Sequence, residues 1–174
     1  MSLKSYLDIH IHFGAIGVKS KSFVKESLRN RFGMFLLKKR YGLENENNND
    51  TLSERFQTYL KELVENSSFI KKAVILSVDG IYDGNGELDR DKTQLYISND
   101  DLYEFCKKSE QFIPGPGINP CRKDWEAELF KASEKRAPLI KFLPNSQNFN
   151  PSDKVFLPFY RTMKKYGMAL LSHT

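Results

Sequence analysis

The chain predicts a parallel α/β fold, and three observations carry that prediction. Apolar, β-branched runs alternate with helical segments from one end to the other. Ala73-Val74-Ile75-Leu76-Ser77-Val78 is apolar almost throughout, the pattern of a strand covered on both faces, as in a parallel sheet. The later strands start near Phe112, Leu139 and Met168, spaced 27 and 29 residues apart, which is the length of one strand-plus-helix unit.

Taken in order, the first strand is Asp8-Ile9-His10-Ile11-His12-Phe13. Alternate strand residues share a face, so Asp8, His10 and His12 project together, the histidines about 6.6 Å apart along the strand. Ile9 and Ile11 are expected on the opposite, buried side. Gly14 and Gly17 then mark a loop, and residues 21–72 carry helical patterning. Phe32, Phe35, Leu36 and Lys39 share one helical spacing, and Phe56, Tyr59, Leu60, Leu63 and Val64 another. The polar run 44–50 between them reads as an exposed or disordered loop, with Thr51 or Ser53 placed to cap the next helix.

The second strand, Ala73 to Val78, closes at Asp79-Gly80. In the acidic loop Asp83 to Asp89, Leu88 stands where a calcium loop needs glycine, so a surface turn is expected. Asn99-Asp100-Asp101 starts a helix with Leu102, Phe105 and Cys106 on one face. Phe112 to Ile118 is a short third strand, followed by a helix around Trp125, Leu129 and Phe130. Leu139 to Leu143 is the fourth strand, stopped by Pro144. A helix from Pro158 to Tyr166 with Gly167 at its end leads into the fifth strand, Met168 to His173. The first two strands start more than twice as far apart as the later ones. Residues 14–72 are therefore expected to form an insertion or lid after strand one, since functional loops of a barrel follow its strands. A doubly wound sheet is the other architecture, but no G-x-G-x-x-G follows any strand.

Composition narrows the class. The 174 residues suffice for a single domain, 1–174, with a substantial core. The 27 basic and 22 acidic residues give a net charge of +5, but the basic residues are scattered and no nucleic-acid-binding motif is visible. A solvated basic surface, or mild attraction for anionic substrates, accounts for the charge. No apolar run approaches membrane-spanning length, and none precedes the histidine strand. Cys106 and Cys121 lack metal-site spacing and read as free thiols. The cytoplasm is the expected compartment.

The chain has three histidines, and all fall on predicted strands. An isolated His-x-His is commonly a pair of hydrogen-bonded or exposed histidines, and a strand-terminal histidine such as His173 is often structural. The same pair can converge on one zinc ion, with Zn–N bonds of about 2.0–2.1 Å. Lys141 lies in the fourth strand, where a lysine either snorkels to solvent or lines a pocket.

Five segments in order strengthen the metal reading: Asp8-Ile9-His10-Ile11-His12, Gly117-Ile118-Asn119-Pro120, Ile140 to Gln147, Phe149-Asn150-Pro151, and Tyr166 to Thr174. In these the chain resembles the amidohydrolase superfamily of metal-dependent (β/α)8-barrel enzymes. It resembles most the amidohydrolase-related group that includes the aminocarboxymuconate-semialdehyde decarboxylase-like enzymes. The resemblance implies a TIM-type barrel of which this chain supplies about the first five strands. It implies metal ligands at His10, His12 and His173 and a divalent ion, zinc first. Lys141 matches a strand-four lysine that is carboxylated and bridges two metals in some branches. A pocket-lining cation for a substrate carboxylate is the preferred role here, with a bridging ligand second. The family also expects a histidine on strand six and a catalytic aspartate on strand eight. The aspartate would lie beyond Thr174, so the chain is expected to be an N-terminal portion, incomplete for catalysis.

The function implied is hydrolysis of a C–N or ester bond in a small, anionic molecule through a metal-activated water. The same-fold rival is non-oxidative decarboxylation of an aromatic or unsaturated acid. A basic binding module without catalysis is the rival of another class. A small-molecule substrate is the expected partner, without nucleic acid or membrane, and the reading admits a homo-oligomer.

Overall fold

The computed structural model describes residues 5–17, 19–40, 42–46 and 48–173. Thr174, Asn47 of the polar loop and the side chain of Phe32 lie outside the described residues. In chain order the elements are β1 (Tyr6–His12), β2 (Phe23–Val24), α1 (Leu28–Arg40), α2 (Asn49–Glu65), β3 (Ile70–Leu76), β4 (Leu95–Tyr96) and α3 (Asn99–Cys106). There follow β5 (Phe112–Gly115), α4 (Trp125–Glu134), β6 (Leu139–Phe142), α5 (Pro144–Gln147), a 3-10 turn, α6 (Leu157–Lys165) and β7 (Ala169–Ser172).

The five expected strands are β1, β3, β5, β6 and β7, and their pairings are parallel. One sheet has the order β1-β3-β5, and β6 pairs with β7. A parallel bridge between Gly117 and Lys141 joins the two sets, so the strands follow one another in chain order. The fold is thus mixed α/β around parallel sheet, and the described strands do not close into a barrel. β1 and β7 each stand at an open edge.

That openness corrects one expectation. Ile11 packs against the core, but Ile9 is 47% exposed, and Tyr6 and Leu7 on the same strand are exposed too. Strand periodicity assigns a face, but burial also requires something to cover that face, and no described element does. A smaller difference concerns His173, which lies one residue past β7. Its backbone N–H still donates to Phe142 O at 3.2 Å, extending the β6–β7 pairing.

Two of the three apolar clusters among the described residues pack helices onto the strands, and the third joins Val74 and Leu76 of β3 to Leu139 of β6. Leu60 and Val64 of α2, with Leu102 and Phe105 of α3, pack against Ala73 and Ile75 of β3 and Phe112 of β5. Leu129 and Ala132 of α4, with Phe159 and Met163 of α6, cover Ile140 and Phe142 of β6. Between β1 and β3, therefore, α2 fills the place of an ordinary crossover helix. The remaining connection carries α1 and β2, and β2 pairs antiparallel with β4 from the loop after β3. Neither short strand has enough alternating residues to register as a period in sequence.

The start of α2 also differs from expectation. Asn48, not Thr51 or Ser53, caps it, its side chain accepting from Asp50 N at 2.9 Å and Thr51 N at 3.1 Å. Ser53 is instead buried and bonded to Ile16, accepting from its N–H at 2.8 Å and donating to its carbonyl. Asn48→Ala should cost about 1 kcal/mol of stability, the usual value of such a cap. Denaturant titration would measure it, and an unchanged midpoint would show that α2 does not depend on the cap.

Candidate functional site

The C-terminal ends of the parallel strands gather the residues singled out above. The β1–β3 register breaks between Asp8 and Ile11, and there the His10 N–H is donated to Asp8 Oδ1 at 2.9 Å. Irregularities of this kind re-aim side chains. His10 and His12 turn toward each other, with Nε2 atoms 3.1 Å apart and ring centroids 4.9 Å apart. Two nitrogens on one tetrahedral zinc at about 2.0–2.1 Å would lie about 3.3–3.4 Å apart. The pair therefore fits a shared ion with little adjustment. Asp8 orients the strand at this point and does not itself reach the imidazoles through a described hydrogen bond.

Burial and neighbouring charges shift both imidazoles toward the neutral form, the state that ligates metal. Burial lowers the His10 pKa, and Lys141 and His173 lower it further against the opposing pull of Asp8. Burial lowers that of His12 as well, assisted by His10, Lys141 and His173. His173 and Lys141 thus act on the same pair. No three His, Cys, Asp or Glu side chains among the described residues close around one point, so His173 is a neighbour of the pair and not a member of a formed triad.

Lys141 is 1% exposed, and its Nζ has no hydrogen-bond partner among the described residues. It does not snorkel: all four residues of β6 are buried. Desolvation lowers its pKa. A buried amine that acts on two imidazoles is suited to receive an anion, because an unpaired buried charge is strongly unfavourable.

Two features were not anticipated from sequence. The first is a buried polar network beyond β3 and β5. Asp79, 3% exposed, accepts from Asn119 N at 2.7 Å, Gly80 N at 2.8 Å and the Tyr82 hydroxyl at 2.8 Å. Arg122 Nη1 lies 3.4 Å from both Asp79 oxygens, while its other nitrogens donate to Asp124 at 2.9 Å. Burial lifts the Asp79 carboxyl, and Arg122 with the Asn119 N–H pulls it back. Burial also opposes the Arg122 charge, but Asp79 and Asp124 outweigh it and raise its pKa. Gln147 ties in α5 by donating to Asp79 O at 3.2 Å and accepting from Leu143 N at 2.8 Å. Gly117 admits this close approach, because a Cβ there would sit 2.7 Å from Asp79 N. The second feature is an apolar cavity of about 560 Å³ that begins at His12 and Phe13 and runs under α1 and α2.

The parallel α/β fold sets the paired histidines at one strand's C-terminal end, and the structural comparison finds a neighbour of similar fold. IDCase from Metarhizium anisopliae, in its apo form, matches with a TM-score of 0.55 at 10% identity, over 97% of this chain and 50% of that one. The chain therefore spans half of that neighbour's length, and the likeness is one of fold. No protein-family model matches the sequence, and no curated protein matches it. Among the described residues, no helix is long and apolar enough to cross a membrane.

Proposed function

We propose that this chain carries the metal-binding part of an amidohydrolase-like enzyme acting on a small anionic molecule, by hydrolysis of a C–N or ester bond. The observation that carries the reading is the 3.1 Å approach of His10 Nε2 to His12 Nε2 on one strand. His10 and His12 would hold the ion, with His173 proposed as the third donor, and zinc suits imidazole ligands. Such an ion, when bound, polarises the substrate and makes a neighbouring water more acidic. Lys141 binds the substrate's carboxylate, which supplies the anion that its buried ammonium lacks. We assign the segment between β1 and β3 the role of a lid, which would exclude water once substrate is bound. The aminocarboxymuconate-semialdehyde decarboxylase-like branch is the part of the superfamily into which we place the chain.

The second reading is non-oxidative decarboxylation on the same fold, favoured by the buried Lys141 amine, which would hold the carboxylate of the acid. Product analysis separates the two: released CO2 supports decarboxylation, and an alcohol or amine with its acid supports hydrolysis.

The central test is metal content. The chain is expected to take up about one zinc or cobalt ion on dialysis, and His10→Ala or His12→Ala should each weaken uptake at least a hundredfold. Undiminished metal content in both variants would sink the reading.

A further inference from the structure

We propose that the cavity under α1 and α2 is a chamber for a long apolar group on the substrate, whose acidic end reaches the histidine pair. The proposal rests on the reading of His10 and His12 given above and adds the substrate class: carboxylic acids bearing an extended alkyl or aryl group. Phe13, Val24, Met34, Leu52, Phe56 and Ile97 supply apolar walls, and His12 stands at one end. The polar wall residue Ser53 is already satisfied, bonded to Ile16 through both its donor and its acceptor. Apart from His12 and Ser53, every lining residue is apolar or glycine. A cavity of about 150 Å³ lined by apolar side chains accommodates a benzene. The 560 Å³ here therefore has room for several times that volume, such as a chain of about ten carbons.

Gly33 points to the same use. It lies inside α1, where glycine is less favourable than alanine. Its φ is not in the left-handed region, and a Cβ built there meets no described atom within 4 Å. Neither backbone conformation nor crowding requires glycine at this position, which is exposed and lines the chamber. Gly14, across the cavity, is different: a Cβ there would press on Phe56 at 3.1 Å. Gly33 is therefore a lining position where a larger side chain can occupy chamber space without a described clash.

Calorimetric titration of the intact, metal-free chain with acetate, hexanoate and decanoate tests this. Affinity should rise with each lengthening, decanoate binding at least a hundredfold more tightly than acetate. Gly33→Leu and Gly33→Trp should weaken decanoate at least tenfold while leaving acetate and zinc content unchanged. Gly33→Ala, the milder variant, should raise Tm and weaken decanoate least. Equal affinity for acetate and decanoate, or decanoate binding indifferent to Gly33→Leu, would overturn the chamber. Failure of the metal reading would look different: no zinc uptake, with the dependence on chain length and on residue 33 intact.

Discussion

Arg122→Met should destabilise the protein by about 3–5 kcal/mol, the range found when one partner of a buried ion pair is removed. Asp79 has 1% of its side-chain surface exposed and Arg122 10%, so solvent replaces little of what the guanidinium supplies. The loss spreads beyond the pair. Arg122 Nη1 also donates to the Tyr82 hydroxyl at 2.8 Å, and its ring-side face lies 5.3 Å from the Tyr82 centroid. Without Arg122, the burial that already lifts Asp79 acts with less opposition, so the carboxyl holds its proton more strongly in the folded state. A carboxyl with a raised folded pKa stabilises at low pH and loses that contribution as pH rises through the folded value. The deficit of Arg122→Met should therefore be greatest near neutral pH and narrow toward pH 4. Urea midpoints measured across that range would check both points. A deficit below 1 kcal/mol, or one independent of pH, would mean the pair does not hold the loops after β3 and β5 together.

What sequence could reveal of this site depended on how local the signal was. The strands were legible because each is a short apolar run bounded by glycine, proline or polar turns, and βα spacing then ordered them. His10 and His12 were legible because a period of two places them on one face without reference to the rest of the chain. Ile9 was not, because its exposure depends on what lies beyond the edge of β1. The cap of α2 shifted from Thr51 or Ser53 to Asn48 because Ser53 is drawn into a contact with Ile16, 37 residues away. Asp79 and Arg122 are 43 residues apart, and nothing near either announces the other. Asn119 sat in a recognised motif, yet its structural task, joining Asp79, Gly80 and Gln147, emerges only when three loops meet. The apolar chamber is of the same kind, since its walls come from six separate parts of the chain. Sequence periodicity reports which residues share a face; the partners that complete a site come from topology.

Lys141→Met is the second large effect, and its sign is the reverse of a normal core substitution. The methionine matches the lysine stem in length and removes an amine that has no described partner, so stability should rise by about 1–3 kcal/mol. For a chain of this size that is a Tm increase of about 2–4 °C per kcal/mol. Desolvation lowers the folded pKa of Lys141 below its ordinary 10.5, so the unfolded chain binds the proton more readily. The penalty is fully present at pH values below the folded pKa and disappears above the ordinary one. The advantage of Lys141→Met should therefore shrink as pH rises toward 10.5. A lysine kept at a cost to stability on the strand that faces two paired imidazoles is one retained for what it binds. Two measurements on the same variant distinguish how. If Lys141 receives a substrate carboxylate, the variant loses carboxylate binding and keeps its zinc. If it bridges ions as a carboxylated lysine, zinc content falls with it. A variant less stable than the parent at every pH would mean that Lys141 contributes a structural interaction, and the site would have to be built on the histidines alone.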